Sequence, residues 1–271
     1  MTSGNLGIAY TRAQALDFTT YNYETGQHKP LAYGVMAGNF DGAGGSYGTC
    51  QFNWKTGDLQ PIFTGLINNH NADVQAAFTV TADYNTFVDV VKNRTTADQI
   101  TWGDSITNQA NKNTVIEPWN TYFVTLGTKA SCQAAQETAT QPYYTLAETW
   151  VSDFGLWSRR GYSLCFDMAV QAGGMTAQCH TDIMAFIAAL PTTNITAELR
   201  ELYVMRYFAN RRANDVSSSF QQSFRDRKLA IAQGSGVVYG GNVDTVPYDL
   251  ILEPNGLLAI PAGKIPHFIT I

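Results

Sequence analysis

The sequence predicts a mainly α-helical fold that contains one small antiparallel sheet and ends in an extended tail. Apolar residues recur at helical spacing over much of the chain up to about residue 233. A glycine-rich segment with aromatic and β-branched residues, 34–57, interrupts this pattern and is typical of a β-hairpin. After Gly236, short apolar runs alternate with Gly, Pro and Asn, which indicates extended or strand-like chain.

The elements follow in a simple order. The first helix is predicted over 8–24, where Leu16 and Phe18 fall near helical spacing ahead of Gly26, a residue typical of helix ends. The hairpin comes next, and the polar stretch from 93 to about 140 predicts loops. The other helical patterns cover 58–70, 73–80, 83–92, 144–156, 158–172, 176–189, 195–213 and 216–233.

The composition narrows the classes of partner. The 271 residues include 22 acidic and 17 basic side chains, which gives a net charge of −5. Charged residues make up 14%, against about 25% in typical proteins. Binding to nucleic-acid phosphates needs clustered Lys and Arg, so we expect no nucleic-acid partner. A polar surface with few charges suits sugars or other proteins. No run of about 18 apolar residues occurs, so we expect no membrane insertion.

The cysteines and the N-terminus indicate the cellular setting. The cysteines are irregularly spaced with no CxxC pair, which predicts free thiols and neither a zinc site nor a disulfide framework. We expect no cofactor. The first residues lack the basic and apolar regions of a signal peptide. We therefore expect that the protein is made in the host cytoplasm without a signal peptide. The cysteines are Cys50, Cys132, Cys165 and Cys179.

Two carboxylates suggest a catalytic pair. Glu24 ends the first predicted helix, and Asp41 lies 17 residues later (41 − 24) in the glycine-rich segment. Glycoside hydrolysis needs two such acids, one that protonates the leaving oxygen and one that stays ionised to activate water or attack the sugar. The same residues also fit a solvated helix end and an Asx-turn, so the pattern alone leaves both interpretations open.

The motifs around these acids resemble those of the peptidoglycan hydrolases of bacteriophages. That family carries ETG, GNFDGxGxSxGxxQxN and GxLQP motifs in this order, and they stand here at 24–26, 38–53 and 57–61. The resemblance implies a bacteriolytic glycosidase that cleaves the β-1,4-linked amino-sugar backbone of peptidoglycan.

The same region is similar to the family 46 chitosanases of the lysozyme-like superfamily. Their DGxGxT hairpin ends in a TGD that matches 56–58. Two later segments, FDMAVQAGG at 166–174 and RDRKLAIA at 225–232, extend the similarity. The resemblance implies a lysozyme-like, two-lobed domain in which the small sheet holds Asp41.

The resemblance also implies roles for single residues. Glu24 would be the general acid and Asp41 the general base of an inverting mechanism, and Ser46 would help to hold the attacking water. The residues expected to bind substrate are Gln51, Asn53 and Asp58.

A buried acid–arginine relay is expected behind the catalytic carboxylates. The resemblance implies that Asp167 pairs with Arg227 or Arg225, and an acid within an apolar helix pattern needs such a partner. One departure stands out, because Ala43 replaces the arginine of the chitosanase pattern. That replacement makes chitosan a less favoured substrate.

Other enzyme classes fit less well. The segment 44–48 formally matches the G-x-S-x-G nucleophile elbow, but a helix must follow that motif and a strand pattern follows here. No histidines stand at metal-ligand spacing, so we expect no metal site.

These observations predict one glycosidase domain over 1–235, with the hairpin at 34–57, and an extended tail over 236–271. The tail is expected either to contact other virion proteins or to pack back on the domain. We expect action at the bacterial cell wall, as a free endolysin or as a virion component. Two alternatives stay open. One is a structural component of a phage tail or injection apparatus with a hydrolase-like fold, and the other is an enzyme that acts on a chitosan-like polymer.

Overall fold

The computed structural model describes residues 6–252. Within this range eleven α-helices and five short strands alternate with single turns of π- and 3-10 helix. The elements in chain order are α1 Leu6–Thr19, a π-helical turn Thr20–Thr25, a 3-10 turn Leu31–Gly34, β1 Met36–Ala37, β2 Ser46–Tyr47, β3 Phe52–Asn53, α2 Leu59–Asn69, α3 Asn71–Ala77, α4 Thr81–Asn93, α5 Thr96–Ser105, α6 Trp119–Gly127, α7 Ala130–Phe154, α8 Arg159–Ala172, α9 Ala177–Ala189, α10 Ala197–Ala213, α11 Gln221–Gln233, β4 Ser235–Val238, β5 Gly241–Asp244 and a 3-10 turn Val246–Tyr248.

The chain forms two compact units. The sheet unit comprises 20–141, and the helical unit comprises, of the described residues, 6–19 together with 142–252. Each unit therefore has a core of its own, and the helix α7 contributes residues to both.

The sheet unit contains the predicted hairpin as three antiparallel strands in the order β1-β2-β3. Ser46 of β2 pairs with Ala37 of β1 and with Asn53 of β3. The turn after β2 needs a glycine, because Gly48 has a φ of 76° and a Cβ there would lie 1.9 Å from Oε1 of Gln136. This contact places the hairpin directly against the first half of α7.

Aromatic rings fill the core of the sheet unit. The ring of Phe63 from α2 lies at its centre and packs against Tyr47 at 5.3 Å, Trp54 at 5.7 Å, Phe87 at 5.0 Å and Phe123 at 6.0 Å between centroids. Large buried rings of this kind supply much of the free energy that holds short strands in place.

The helical unit is built around α8. Its residues 161–169 are all buried, and α1, α10 and α11 pack against it. The helix begins where the Oγ of Ser158 accepts a hydrogen bond from the N–H of Gly161 at 2.9 Å, and it ends at Gly173 with a φ of 65°.

The loop-rich interpretation of 93–140 is wrong. This stretch contains α5, α6 and the first half of α7. The start of α5 is a capping box, in which the side chains of Thr95 and Asp98 each accept the other's backbone N–H. The first half of α7 is rich in Ala and Gln, so it has high helix propensity but few large apolar residues to mark a period.

The segment after α11 folds back within the helical unit. Strands β4 and β5 form a hairpin that packs on α11, and the ring of Tyr248 lies 5.2 Å from that of Phe18 between centroids. Leu250 is fully buried, and Arg159 forms a salt bridge with Asp249. The boundary after residue 235 stays a prediction, and 253–271 lies outside the described residues.

The four cysteines are free and buried, as predicted. Over residues 6–252, no helix has the combined length and apolar character that crossing a bilayer requires.

Candidate functional site

Glu24 lies in the π-helical turn, which contacts the hairpin. The Oγ1 of Thr20 donates a hydrogen bond to the backbone oxygen of Thr49 at 2.9 Å. Glu24 is half-buried. Burial of Cys50 raises the pKa of its thiol to about 12, and the negative charge of Glu24 adds to this increase. The carboxylate of Glu24 therefore lies within electrostatic range of the end of the hairpin.

The charge of a second carboxylate, which the sequence analysis did not select, also raises the pKa of the Cys50 thiol. Glu137 of α7 accepts hydrogen bonds from the hydroxyl of Tyr33 and from Nζ of Lys29, the latter at 3.3 Å, and its charge also raises the pKa of Cys50. Burial, together with the bond to Glu137, raises the pKa of Tyr33 well above its usual value. Glu137 is thus bound by two neighbours.

Asp41 lies on the loop between β1 and β2 and is exposed. Its Oδ1 accepts a hydrogen bond from the N–H of Ala43 at 3.0 Å, which is an Asx-turn. Within residues 6–252, the carboxylate of Asp41 accepts this hydrogen bond through Oδ1, and Oδ2 can accept one from another partner.

The other hairpin residues differ in their surroundings. Ser46 is 6% exposed within β2. Gln51 adopts a φ of 50°, and its Nε2 donates to the backbone oxygen of Gly48 at 3.0 Å. Because Ser46 is buried and a turn and another strand follow it, the G-x-S-x-G segment does not form a nucleophile elbow.

Asn53 and Asp58 are joined in one turn. Oδ1 of Asp58 accepts hydrogen bonds from the N–H of Asn53 and the Oγ1 of Thr56, both at 2.7 Å. Oδ1 of Asn53 accepts from the N–H of Thr56 at 2.9 Å. These contacts stabilise the segment 53–58 locally, and binding of substrate by Asn53 and Asp58 stays a prediction.

The expected acid–arginine pair is present in the helical unit. Asp167 is fully buried, and its Oδ1 accepts a hydrogen bond from Nη2 of Arg227 at 2.6 Å. Lys228, which the sequence analysis missed, forms a second salt bridge with Asp167. Burial opposes ionisation, but the two positive charges lower the pKa of Asp167. Arg225 is not the partner, because it lies on another side of α11 and bonds Gln222 and Asn214.

A further buried acid lies in the helical unit. Glu201 of α10 is 3% exposed, and its Oε1 accepts the backbone N–H groups of Trp157 at 2.8 Å and Ser158 at 3.0 Å. Burial raises the pKa of Glu201 to about 7. A glutamate in the first turns of a helix is usually solvated, so no pattern in the sequence predicts the burial of Glu201.

Among residues 6–252, no group of three His, Cys, Asp or Glu side chains is arranged to hold a metal ion. The sheet unit contains two candidate acids, Glu24 in the π-helical turn and Asp41 on the loop between β1 and β2.

No family model matches the sequence, and no curated protein matches it. Solved structures of chitosanases do resemble the chain. The chitosanase of Bacillus subtilis MY002 is 15% identical with a TM-score of 0.52, and the match covers 86% of this chain and 88% of that chain.

Two complexes with sugars give similar matches. The family 46 chitosanase of Gynuella sunshinyii, in complex with chitotetraose, is 14% identical with a TM-score of 0.54, covering 86% of this chain and 96% of that chain. A Glu-to-Ala variant of the Bacillus subtilis enzyme, complexed with 6 GlcN, is 16% identical with a TM-score of 0.51, covering 86% and 88%. The chain therefore has the lysozyme-like fold of family 46 chitosanases.

Proposed function

We propose that this protein is a glycoside hydrolase that cleaves β-1,4-linked amino-sugar polymers and inverts the configuration at the anomeric carbon. The observation that carries the proposal is the chitosanase-like fold over 86% of the chain. The two candidate acids occur within the sheet unit of that fold, with Glu24 beside the end of the hairpin and Asp41 on its loop.

We propose the following role for each acid. Glu24 donates a proton to the glycosidic oxygen, which makes the departing sugar a neutral alcohol. Asp41 accepts a proton from a water molecule, and the resulting hydroxide character at oxygen attacks the anomeric carbon from the opposite face. Oδ1 of Asp41 already accepts the N–H of Ala43, so Oδ2 is the oxygen that takes the proton. Ser46 is proposed to help to hold the water.

We propose the glycan strands of peptidoglycan as the substrate. The motifs at 24–26, 38–53 and 57–61 resemble those of phage hydrolases. Ala43, which stands where the chitosanase pattern has an arginine, is 4% exposed and has no side chain that could reach a sugar. A phage origin and action at the bacterial cell wall, free or within a virion, belong to the same proposal.

A chitosan-like polymer is the second candidate. The structures that resemble the chain are chitosanases, and two of them are complexes with chitotetraose or GlcN. Asp58 matches the acidic position of the chitosanase pattern. It is also bound within its own turn by Asn53 and Thr56, which weakens this argument for an amino-group contact.

The test is product analysis with the full chain on purified peptidoglycan and on chitosan. We expect soluble fragments with new reducing ends from the wild type, and mass spectrometry of these ends identifies the bond that is cut. Glu24→Gln and Asp41→Asn should each lower the rate by about 10²–10⁴-fold.

Two matched substitutions serve as controls. Glu117→Gln and Asp226→Asn change the same side-chain types at sites whose hydrogen bonds within residues 6–252 go to near neighbours. Glu117 bonds to Thr121 and Asn120, and Asp226 bonds to Gln222. Both should retain the wild-type rate. Hydrolysis of neither polymer by the wild type, or full activity of Glu24→Gln, would contradict the proposal.

A further inference from the structure

Asn39 closes the loop that carries Asp41. Its side-chain Oδ1 accepts a hydrogen bond from the N–H of Gly44 at 2.7 Å, so residues 39 and 44 are joined across the loop. Its backbone N–H donates to Oγ1 of Thr107 at 3.0 Å. Asp41 lies between these two joined residues, and its own Oδ1 bonds to the N–H of Ala43 inside the same loop.

The orientation of the Asn39 amide is fixed by an ion pair. Nδ2 of Asn39 donates to Oδ1 of Asp104 at 2.7 Å, and Nζ of Lys112 donates to the same oxygen at 2.8 Å. Hydrogen bonds from Lys112 and Asn39 lower the pKa of Asp104. Because a carboxylate only accepts and a backbone N–H only donates, a flipped amide would lose both of its bonds.

The loop also rests directly on the backbone of α5. A Cβ on Gly103 would lie 1.7 Å from the backbone oxygen of Gly44, and a Cβ on Gly44 would lie 2.7 Å from the Cα of Ile100. Asp104, the acceptor of the Asn39 amide, belongs to the same helix. Helix α5 therefore supports both ends of the loop, one through a side-chain hydrogen bond and one through close backbone packing.

We propose that Asn39 is a positioning residue for Asp41, acting through the N–H of Gly44, and that the Asp104–Lys112 pair orients it. This inference rests on the proposed function, in which Asp41 is the base. Ala43 stands where the chitosanase pattern has an arginine. In this chain the side chain of Asn39 therefore fixes the loop that carries Asp41. A displacement of about 1 Å at a reacting group can reduce a rate by roughly 100-fold, so this support has a measurable effect.

The test is steady-state kinetics of the full chain on the polymer that the wild type cleaves. Asn39→Ala should lower kcat by about 10- to 100-fold and change KM by less than about threefold, because the substitution displaces the base without removing a sugar contact. Asp104→Ala should lower kcat in the same direction. Asp104→Asn keeps an oxygen that can accept the Asn39 amide and should recover most of that loss.

A similar triad on the surface provides the control. Nδ2 of Asn93 donates to Oδ1 of Asp89 at 3.0 Å, and Nε of Arg94 lies 2.8 Å from Oδ2 of the same carboxylate. Asn93→Ala removes an equivalent Asn–Asp bond on α4, so it should leave kcat and KM at their wild-type values.

Different outcomes separate this inference from the proposed function. If Asp41→Asn is inactive while Asn39→Ala keeps the wild-type kcat, the inference is wrong and the proposed function stands. If Asp104→Ala keeps the wild-type kcat while Asn39→Ala lowers it, the orienting role of the pair is wrong. If the wild type cleaves neither polymer or Asp41→Asn stays active, the proposed function fails and the inference fails with it.

Discussion

Three acids of the two units, Asp41, Asp167 and Glu201, have contrasting surroundings. In the sheet unit, Asp41 is exposed on a loop and bonds within its own turn. In the helical unit, Asp167 is fully buried between Arg227 and Lys228, and Glu201 is buried against the start of α8. A buried carboxylate with fixed partners holds helices together, whereas an exposed one on a braced loop can meet a substrate. Asp167 and Glu201, which are buried, therefore stabilise the fold, whereas Glu24, which is half-buried, and Asp41, which is exposed, could do chemistry.

The largest effect on stability is expected at Asp167. Asp167→Ala leaves the buried positive charges of Arg227 and Lys228 without their shared carboxylate. The free energy of unfolding should fall by about 3–5 kcal/mol, as measured by chemical denaturation. Arg225→Ala, on the same helix but outside the cluster, is the control and should cost much less.

The substitution Asp41→Asn tests the exposed acid of this comparison. Asparagine can still accept the N–H of Ala43, so the free energy of unfolding should change by less than about 0.5 kcal/mol while activity is lost. An equal loss of stability in Asp41→Asn and Asp167→Ala would show that burial does not distinguish acids that stabilise the fold from candidate catalytic acids.

A smaller effect is expected from the titration of Glu201. Burial raises its folded-state pKa from the ordinary value of 4.5 to about 7, so the folded protein binds more protons than the unfolded chain between these pH values. The stability that this group contributes is fully present below pH 4.5 and is lost as the pH rises towards 7 and beyond. The free energy of unfolding should fall by about 3 kcal/mol over this range on account of Glu201.

Glu201→Gln isolates this contribution. Glutamine can accept the same two backbone N–H groups and does not titrate, so the difference in unfolding free energy between wild type and variant should depend on pH over this range. Chemical denaturation at several pH values measures it. A constant difference between the two proteins from pH 4.5 to 8 would mean that burial does not raise the pKa of Glu201 as described.

Local patterns in the sequence predicted much of the fold. The first helix and the hairpin at 34–57 follow from apolar spacing and from glycines that occupy turns. The prediction failed at 93–140, where the first half of α7 has the propensity of a helix but not the amphipathic period. The Thr95–Asp98 capping box was visible in the sequence and would have located the start of α5.

The site was predictable only in part. The resemblance of motifs pointed to Glu24, Asp41 and the Asp167–Arg227 pair, and the structure contains that pair. The supporting contacts join residues far apart in the chain, such as Asn39 with Asp104 and Gln136 with the backbone oxygen of Tyr33. The spacing of residues along the sequence does not predict such contacts, because tertiary packing creates them.

The most direct test of the central claim is the configuration of the first product. A soluble β-1,4-linked oligosaccharide of the polymer that the wild type cleaves is hydrolysed in an NMR tube, and the anomeric proton signals are followed before mutarotation. If Glu24 and Asp41 act as general acid and general base on a single water, the α-anomer appears first. If the β-anomer appears first, the enzyme retains configuration through a covalent intermediate, and the roles assigned to Glu24 and Asp41 are wrong.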